Sequence, residues 1–306
     1  MPYLIFAVVC AIWGASFILM KKAGLVFNSI DIGVWRVVGG AAVLVLIAVA
    51  TGRRWRVERR YLGWLVLAAL ISYAWPYSIQ PYLVTRHGSG FIGMTVSFTP
   101  LLTVLVGIPM LGIYPSARQV VGVLGGLFFL GLIMADGLSR DVPWYDLLLA
   151  ISVPACYAVG NSLIRRRLAN EPALALTASA LAFTGMVLIP LAAFAPLVRP
   201  DAAAHTGATW TIAIVSSVVL GTLGTGLATY LFNRLIQEQG PLFAGMVTYV
   251  VPIGALIWGW ADTEVVTPLQ IIALAGVLVM VAVVQYGAAV KPADSSALPH
   301  SGDEIV

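Results

Sequence analysis

The side chains of this chain that could recognise a small molecule are aromatic, hydroxyl and amide groups spaced one helical turn apart inside apolar segments. In ISYAWPYSIQPY, Tyr73, Tyr77 and Gln80 fall at i, i+4 and i+7, which places them on one helix face. In GTLGTGLATYLFN, Thr222, Thr225, Thr229 and Asn233 run down one face in the same way. Trp13 with Phe17, and Tyr157 with Asn161, repeat the i, i+4 spacing in two further segments. Such groups offer hydrogen bonds and ring faces. They do not supply a nucleophile beside a base or a set of metal ligands. No Asp or Glu lies in the middle third of any apolar span, and His87, His205 and His300 fall in loops or the tail. A G-x-x-x-x-G-K-[ST] run is also lacking, so no ATPase of the chain's own is expected, nor a cofactor or metal site. An intramembrane enzyme is therefore disfavoured.

Arg36 is the one basic residue that falls inside a span, about 7 Å deep at 1.5 Å per residue. Two readings are open. Its head snorkels to the surface near Asp31, or it is a charge that attracts a carboxylate or phosphate.

The segments that carry these residues occur twice. At a constant offset of 152, Gly88 matches Gly240, Phe91 matches Phe243, Gly93 and Met94 match Gly245 and Met246, and Pro100 matches Pro252. The same offset takes Tyr73 to Thr225, Tyr77 to Thr229 and Ser97 to Tyr249. An offset of 144 takes Trp13 to Tyr157 and Phe17 to Asn161, but takes Arg36 to Ala180. Hydrogen-bonding or aromatic side chains at equivalent positions of two copies predict a shared cavity. Ordinary packing is the competing reading, because small and hydroxyl residues also favour close helix contacts in membranes. Pro76, Pro81, Pro100 and Pro252 each remove a backbone donor and kink a helix. Gly93 and Gly245 are predicted to serve packing or hinging.

The elements that position these residues must lie in lipid. Of the 306 residues, 60% are hydrophobic and 10% charged, with mean hydropathy +0.96. A soluble domain carries roughly 25% charged residues. Ten spans near the ~20 residues a bilayer requires are predicted at 3–21, 31–51, 61–84, 88–112, 117–135, 145–164, 174–195, 210–235, 241–260 and 267–289. The N-terminus reads as a retained first helix rather than a cleaved signal. The polar tail 291–306 is predicted to be disordered. Cys10 and Cys156 lie within spans and read as packing residues.

Basic residues lie between spans, which argues against nucleic acid as a partner and for topology signals. With both termini inside, Arg53, Arg54, Arg56, Arg59, Arg60, Arg118, Arg165, Arg166, Arg167, Arg234 and Lys291 are inside. Only Lys21, Lys22, Arg86, Arg140 and Arg199 are outside, so the termini are predicted to be cytoplasmic. Equivalent loops trade charge: RRWRVERR in the first copy faces RPDAAAHTGAT in the second. Five helices per copy, the second inverted, explains the trade.

WGASFILMKKA, the Arg of VWRVVGG, a Gly-small-Phe opening to helices 4 and 9 and a Pro midway along each resemble the EamA-type branch of the drug/metabolite transporter superfamily. The resemblance implies an all-α polytopic membrane protein of ten helices in two inverted five-helix repeats, 1–140 and 141–290, around a central cavity. It also implies an inner-membrane transporter, many relatives exporting amino acids or other small metabolites. The four-helix small multidrug pumps depend on a membrane Glu that this chain lacks. The expected function is secondary export of small amphipathic metabolites, such as hydrophobic or aromatic amino acids, by alternating access. Trp13, Tyr73, Tyr77, Tyr157 and Tyr249 would pack the substrate body. Gln80, Asn161, Thr225, Thr229 and Asn233 would offer hydrogen bonds, with Ser97 and Arg36 also at the site. Carriers of sugar phosphates or nucleotide sugars are the alternative, and would want several basic residues in the cavity. Substrate identity, direction of flux, coupling, and monomer versus homodimer stay open.

Overall fold

The computed structural model describes residues 2–112, 114–194 and 206–285. The tail 291–306, with Lys291 and His300, and Arg199 and His205 of the long loop lie outside the described residues. Ten apolar helical stretches follow one another: α1 Pro2–Ala23, α2 Ser29–Ala50, α3 Arg59–His87, α4 Ser89–Met110, α5 Ala117–Ser139, α6 Trp144–Arg167, α7 Ala173–Ala193, α8 Gly207–Gln239, α9 Val247–Ala261 and α10 Pro268–Val284. The first eight are long enough to cross a bilayer by length and composition, and the last two are shorter apolar helices. Helices are what such sequences must form, because lipid offers no partner for an unpaired backbone group. Large apolar side chains stay exposed on the outer faces, Phe128 at 63% among them, as suits contact with acyl chains rather than water.

Local chemistry sets the helix ends. Asn28 accepts hydrogen bonds from the backbone N–H of Ile30 and Asp31 and starts α2. Ser116 and Gln119 form a reciprocal capping box at α5. Gly88, at φ 94°, makes the turn between α3 and α4, a conformation that side chains with a Cβ avoid.

Two helices are interrupted at equivalent places. A π-helical segment spans Leu70–Ala74 within α3, and another spans Leu220–Leu227 within α8. The 152 offset carries residues 70–74 onto 222–226, inside the second segment. Pro76 follows the first π segment, where the lost backbone donor matters least. Pro100 follows a 3-10 turn at Val96–Phe98 in α4. Gly245 precedes a break at Met246, and Pro252 lies inside α9.

Packing obeys exchange of the two halves. The helix α1 packs on α9 and α8, and its counterpart α6 packs on α4 and α3. Likewise α2 packs on α8 and α3 on α7, while α2–α7 and α5–α10 are each their own counterparts. Single contacts repeat too. An ideal Cβ on Gly224 would stand 3.0 Å from Ser16 Oγ, and one on Gly160 would stand 1.7 Å from Ser72 Oγ. Ser16 and Gly160 are equivalent at offset 144, Ser72 and Gly224 at offset 152. The two halves therefore interlock through the same Ser–Gly contact made twice, with roles exchanged. Since each half holds five spans, they run in opposite senses through the bilayer.

Candidate functional site

At the centre of these crossings lies a cavity of about 80 Å³. Six helices of the two halves and α2 line it. Its wall contains six repeat-equivalent pairs: Trp13/Tyr157 and Phe17/Asn161 at offset 144, and Tyr77/Thr229, Gln80/Phe232, Val96/Thr248 and Thr99/Val251 at offset 152.

The side-chain contacts follow the same symmetry. Trp13 packs its ring 4.8 Å from that of Phe232, and Tyr157 donates to Gln80 Oε1 at 3.2 Å, the equivalent contact. Trp13 Nε1 also donates to the carbonyl of Gly224 at 3.0 Å, within the π-helical segment, where the changed bonding pattern frees carbonyls. Tyr73 and Tyr77 meet edge to face, with ring centroids 5.7 Å apart. Asn233 Nδ2 donates to Thr177 Oγ1 at 2.8 Å. Thr229 Oγ1 and Ser72 Oγ are buried with no hydrogen-bond partner among the described residues.

Of the residues expected at the site, Trp13, Arg36, Tyr73, Tyr77, Gln80, Tyr157, Asn161, Thr229 and Asn233 line this cavity. Three do not. Thr225 is fully buried behind the wall and accepts a hydrogen bond from Arg36 Nε at 3.2 Å. Ser97 is fully buried and donates to the Met94 carbonyl at 2.6 Å, as a helix hydroxyl often does. Tyr249 packs, half-buried, against the apolar core. The face drawn through Thr222 also fails: Thr222 is half-buried and donates to the Val218 carbonyl. The π segment adds a residue to the turn, so 3.6-residue spacing loses phase across it. Phe17, paired with Asn161 in the sequence, also lines the cavity, and residues missed by sequence reasoning include Ser16, Met20, Ser72, Val96, Thr99, Phe232, Thr248 and Val251. The repeat offset applied to Gln80 would have found Phe232.

Arg36 does not snorkel. It is 4% exposed and forms no ion pair with Asp31. Its guanidinium carbon lies 3.9 Å from the centre of the Tyr77 ring, and Nη1 donates to Met20 Sδ at 3.2 Å. Gly93 is a packing residue: a Cβ there would lie 2.3 Å from Ala255 Cβ. Pro81 sits inside α3 beside the cavity-lining Gln80.

A charged cluster joins the two halves at the end of α1, next to the cavity-lining Met20. Lys21 bridges Asp262 and Glu264, each at 2.7 Å, and Lys22 pairs with Asp262. Glu264 also accepts from Ser89 N at 2.7 Å, Ser89 Oγ at 2.8 Å and Gly90 N at 2.9 Å. Its carboxylate thus joins the end of α1, the start of α4 and the α9–α10 loop. Burial pushes the Glu264 carboxyl up, but the hydrogen bonds from Lys21, Gly90 and Ser89 outweigh it and hold the group below its ordinary value. Beside this cluster, His87 Nε2 lies 2.7 Å from Asp146 Oδ2.

A two-part sequence match settles the family. The profile of the EamA-like transporter family matches residues 1–135 and again 144–286. The chain belongs to the EamA-like transporter family. It is a polytopic membrane protein of a family of small-molecule transporters. Its fold is similar to that of a protein solved by crystallography, over 92% of this chain and 95% of the other, with TM-score 0.66 and 20% identity, a likeness of fold alone. No curated protein matches the chain.

Proposed function

We propose that this EamA-like chain is a secondary transporter that exports small amphipathic metabolites, such as hydrophobic or aromatic amino acids, by alternating access. One observation carries the reading: the cavity between the halves is walled by equivalent residues of both. A site on the pseudo-twofold axis of inverted repeats is reached from either side as one half rocks against the other. Residues 1–140 and 141–290 are the rocking halves. The membrane is the cytoplasmic membrane, with both termini in the cytoplasm, as the inside bias of Lys and Arg supports.

Aromatic rings from Trp13, Tyr73, Tyr77 and Tyr157 suit an apolar or aromatic body, and Gln80, Asn161, Thr229 and Asn233 suit its polar groups. Among the described residues Arg36 is the only Lys or Arg in the wall, which disfavours multiply charged sugar phosphates. At about 80 Å³ the cavity is well below the roughly 300 Å³ at the lower end of ligand sites. An aromatic amino acid therefore enters only when the walls part.

Flux into proteoliposomes tests this. The panel holds labelled aromatic and aliphatic amino acids, an organic cation and a sugar phosphate, with and without an imposed pH gradient. Saturable amino-acid flux independent of the gradient is expected. Flux of the sugar phosphate alone would overturn the substrate assignment.

A further inference from the structure

Arg36 is a buried cation with no countercharge among the described residues. Among the described residues no carboxylate lies within ion-pair distance of it. The guanidinium has five N–H donors. Two of them reach an acceptor among the described residues, the Thr225 hydroxyl and the Met20 thioether, and the second is a weak one. One face is covered by the Tyr77 ring. The side chain nonetheless lines the cavity, and among the described residues no Asp or Glu shares that wall. A charge buried in a membrane protein ordinarily pairs or faces a functional path. Here a fixed positive charge, four per cent exposed, lines the cavity with guanidinium donors that no described residue engages.

We infer that Arg36 is the receptor for a single negative charge on the transported molecule, so that the carrier selects monoanionic or zwitterionic carboxylates and rejects amines and organic cations. The inference rests on the transport reading for its word "transported", but the anion site itself does not. The planar guanidinium presents parallel donors that match a carboxylate. Thr225 and Tyr77 hold it in place. They belong to α8 and α3, one from each half, so the anion site lies between the halves rather than in either one. Only one copy carries the charge, since the equivalent of Arg36 is Ala180. A ligand is therefore oriented: its anionic group points to α2, and its body extends towards the rings of Trp13 and Tyr157. A dianion would leave one charge uncompensated, and a cation would meet the guanidinium directly.

The test compares phenylalanine with its near-isosteric amide, phenylalaninamide, and with phenethylamine, which lacks the carboxyl group. Ligand-induced thermal stabilisation of the detergent-solubilised full chain reads binding, and proteoliposome flux reads transport. The wild type should bind the carboxylate at least roughly 30-fold more tightly than the amide, the order expected when a buried charge loses its partner. Arg36→Gln should abolish that discrimination. Arg36→Lys, which keeps the charge but not the planar fork, should retain it at weaker affinity and guards against a folding defect in the first variant. Equal stabilisation of the wild type by acid and amide would overturn the assignment, as would discrimination that survives in folded Arg36→Gln. Charge-selective binding with no flux of any panel member would keep the anion site and sink the transport reading. Flux with no charge selectivity would do the reverse.

Discussion

Glu264 holds three parts of the chain with one carboxylate, and the glycines around it make room for that. A Cβ on Gly88 would stand 2.8 Å from Glu264 Oε2, and one on Gly259 would stand 2.7 Å from it. The repeat-equivalent position of Glu264 is Gly112, and that of Asp262 is Met110. Arg166, the equivalent of Lys22 at offset 144, donates to the Met110 carbonyl. The two symmetry-related clusters are thus tied by different chemistry, ion pairs at one and a bond to a neutral carbonyl at the other. Glu264 and Asp262 both have carboxyls held below their ordinary values of 4.5 and 3.8; burial raises each, and the lysine and backbone donors more than reverse it. The sign is then fixed. The folded state binds fewer protons than the unfolded one, so this stabilisation is present above those ordinary values and is lost as pH falls through the lowered ones. Thermal unfolding midpoints should drop between about pH 5 and about pH 3. Glu264→Gln should lower the midpoint at neutral pH and flatten that decline; an unchanged profile would show the latch to be energetically idle. The sequence reveals Glu264 only as a loop residue. Its partners Ser89 and Gly90 lie about 175 residues away, and no local spacing points to them.

Crossing geometry and helix phase belong to the element scale. The helices α2 and α8 meet at glycines. A Cβ on Gly221 would stand 2.5 Å from the Trp35 carbonyl oxygen, and one on Gly226 would stand 2.9 Å from Gly40 Cα. Backbone cannot rotate away as a side chain can. Gly221→Ala should therefore destabilise by about 1–3 kcal/mol, the usual cost of overpacking. Gly131→Ala in α5 has nothing within 4 Å of the new methyl and should gain up to about 1 kcal/mol from helix propensity. Thermal denaturation of the two variants side by side checks the contrast. The spans themselves were readable from apolar length, and so was the face of Tyr73, Tyr77 and Gln80, which lies at and beyond its π segment. The face through Thr222 and Thr225 was not, because the longer π segment of α8 shifts the phase inside the stripe itself. Ser97 and Tyr249 show the same limit: equivalence at offset 152 correctly pairs α4 with α9, but Val96/Thr248 and Thr99/Val251 are the pairs that reach the cavity.

For the whole molecule, the internal repeat is the main signal that passes from sequence to site. It names the exchange of helices, the doubled Ser–Gly contact, the two π segments and most of the cavity wall. It fails where symmetry is broken, at Arg36 and at Glu264. Alternating access requires that positions at the cavity's centre become reachable by water from each side in turn. Single cysteines at Tyr77 and Thr229, in a background with Cys10 and Cys156 replaced, test this with a membrane-impermeant thiol reagent applied to right-side-out and to inside-out vesicles. Both positions should react, each from both sides over time, and a transported amino acid should slow the reaction. Inertness of both cysteines from either side, in a folded protein, would contradict a central cavity that opens alternately.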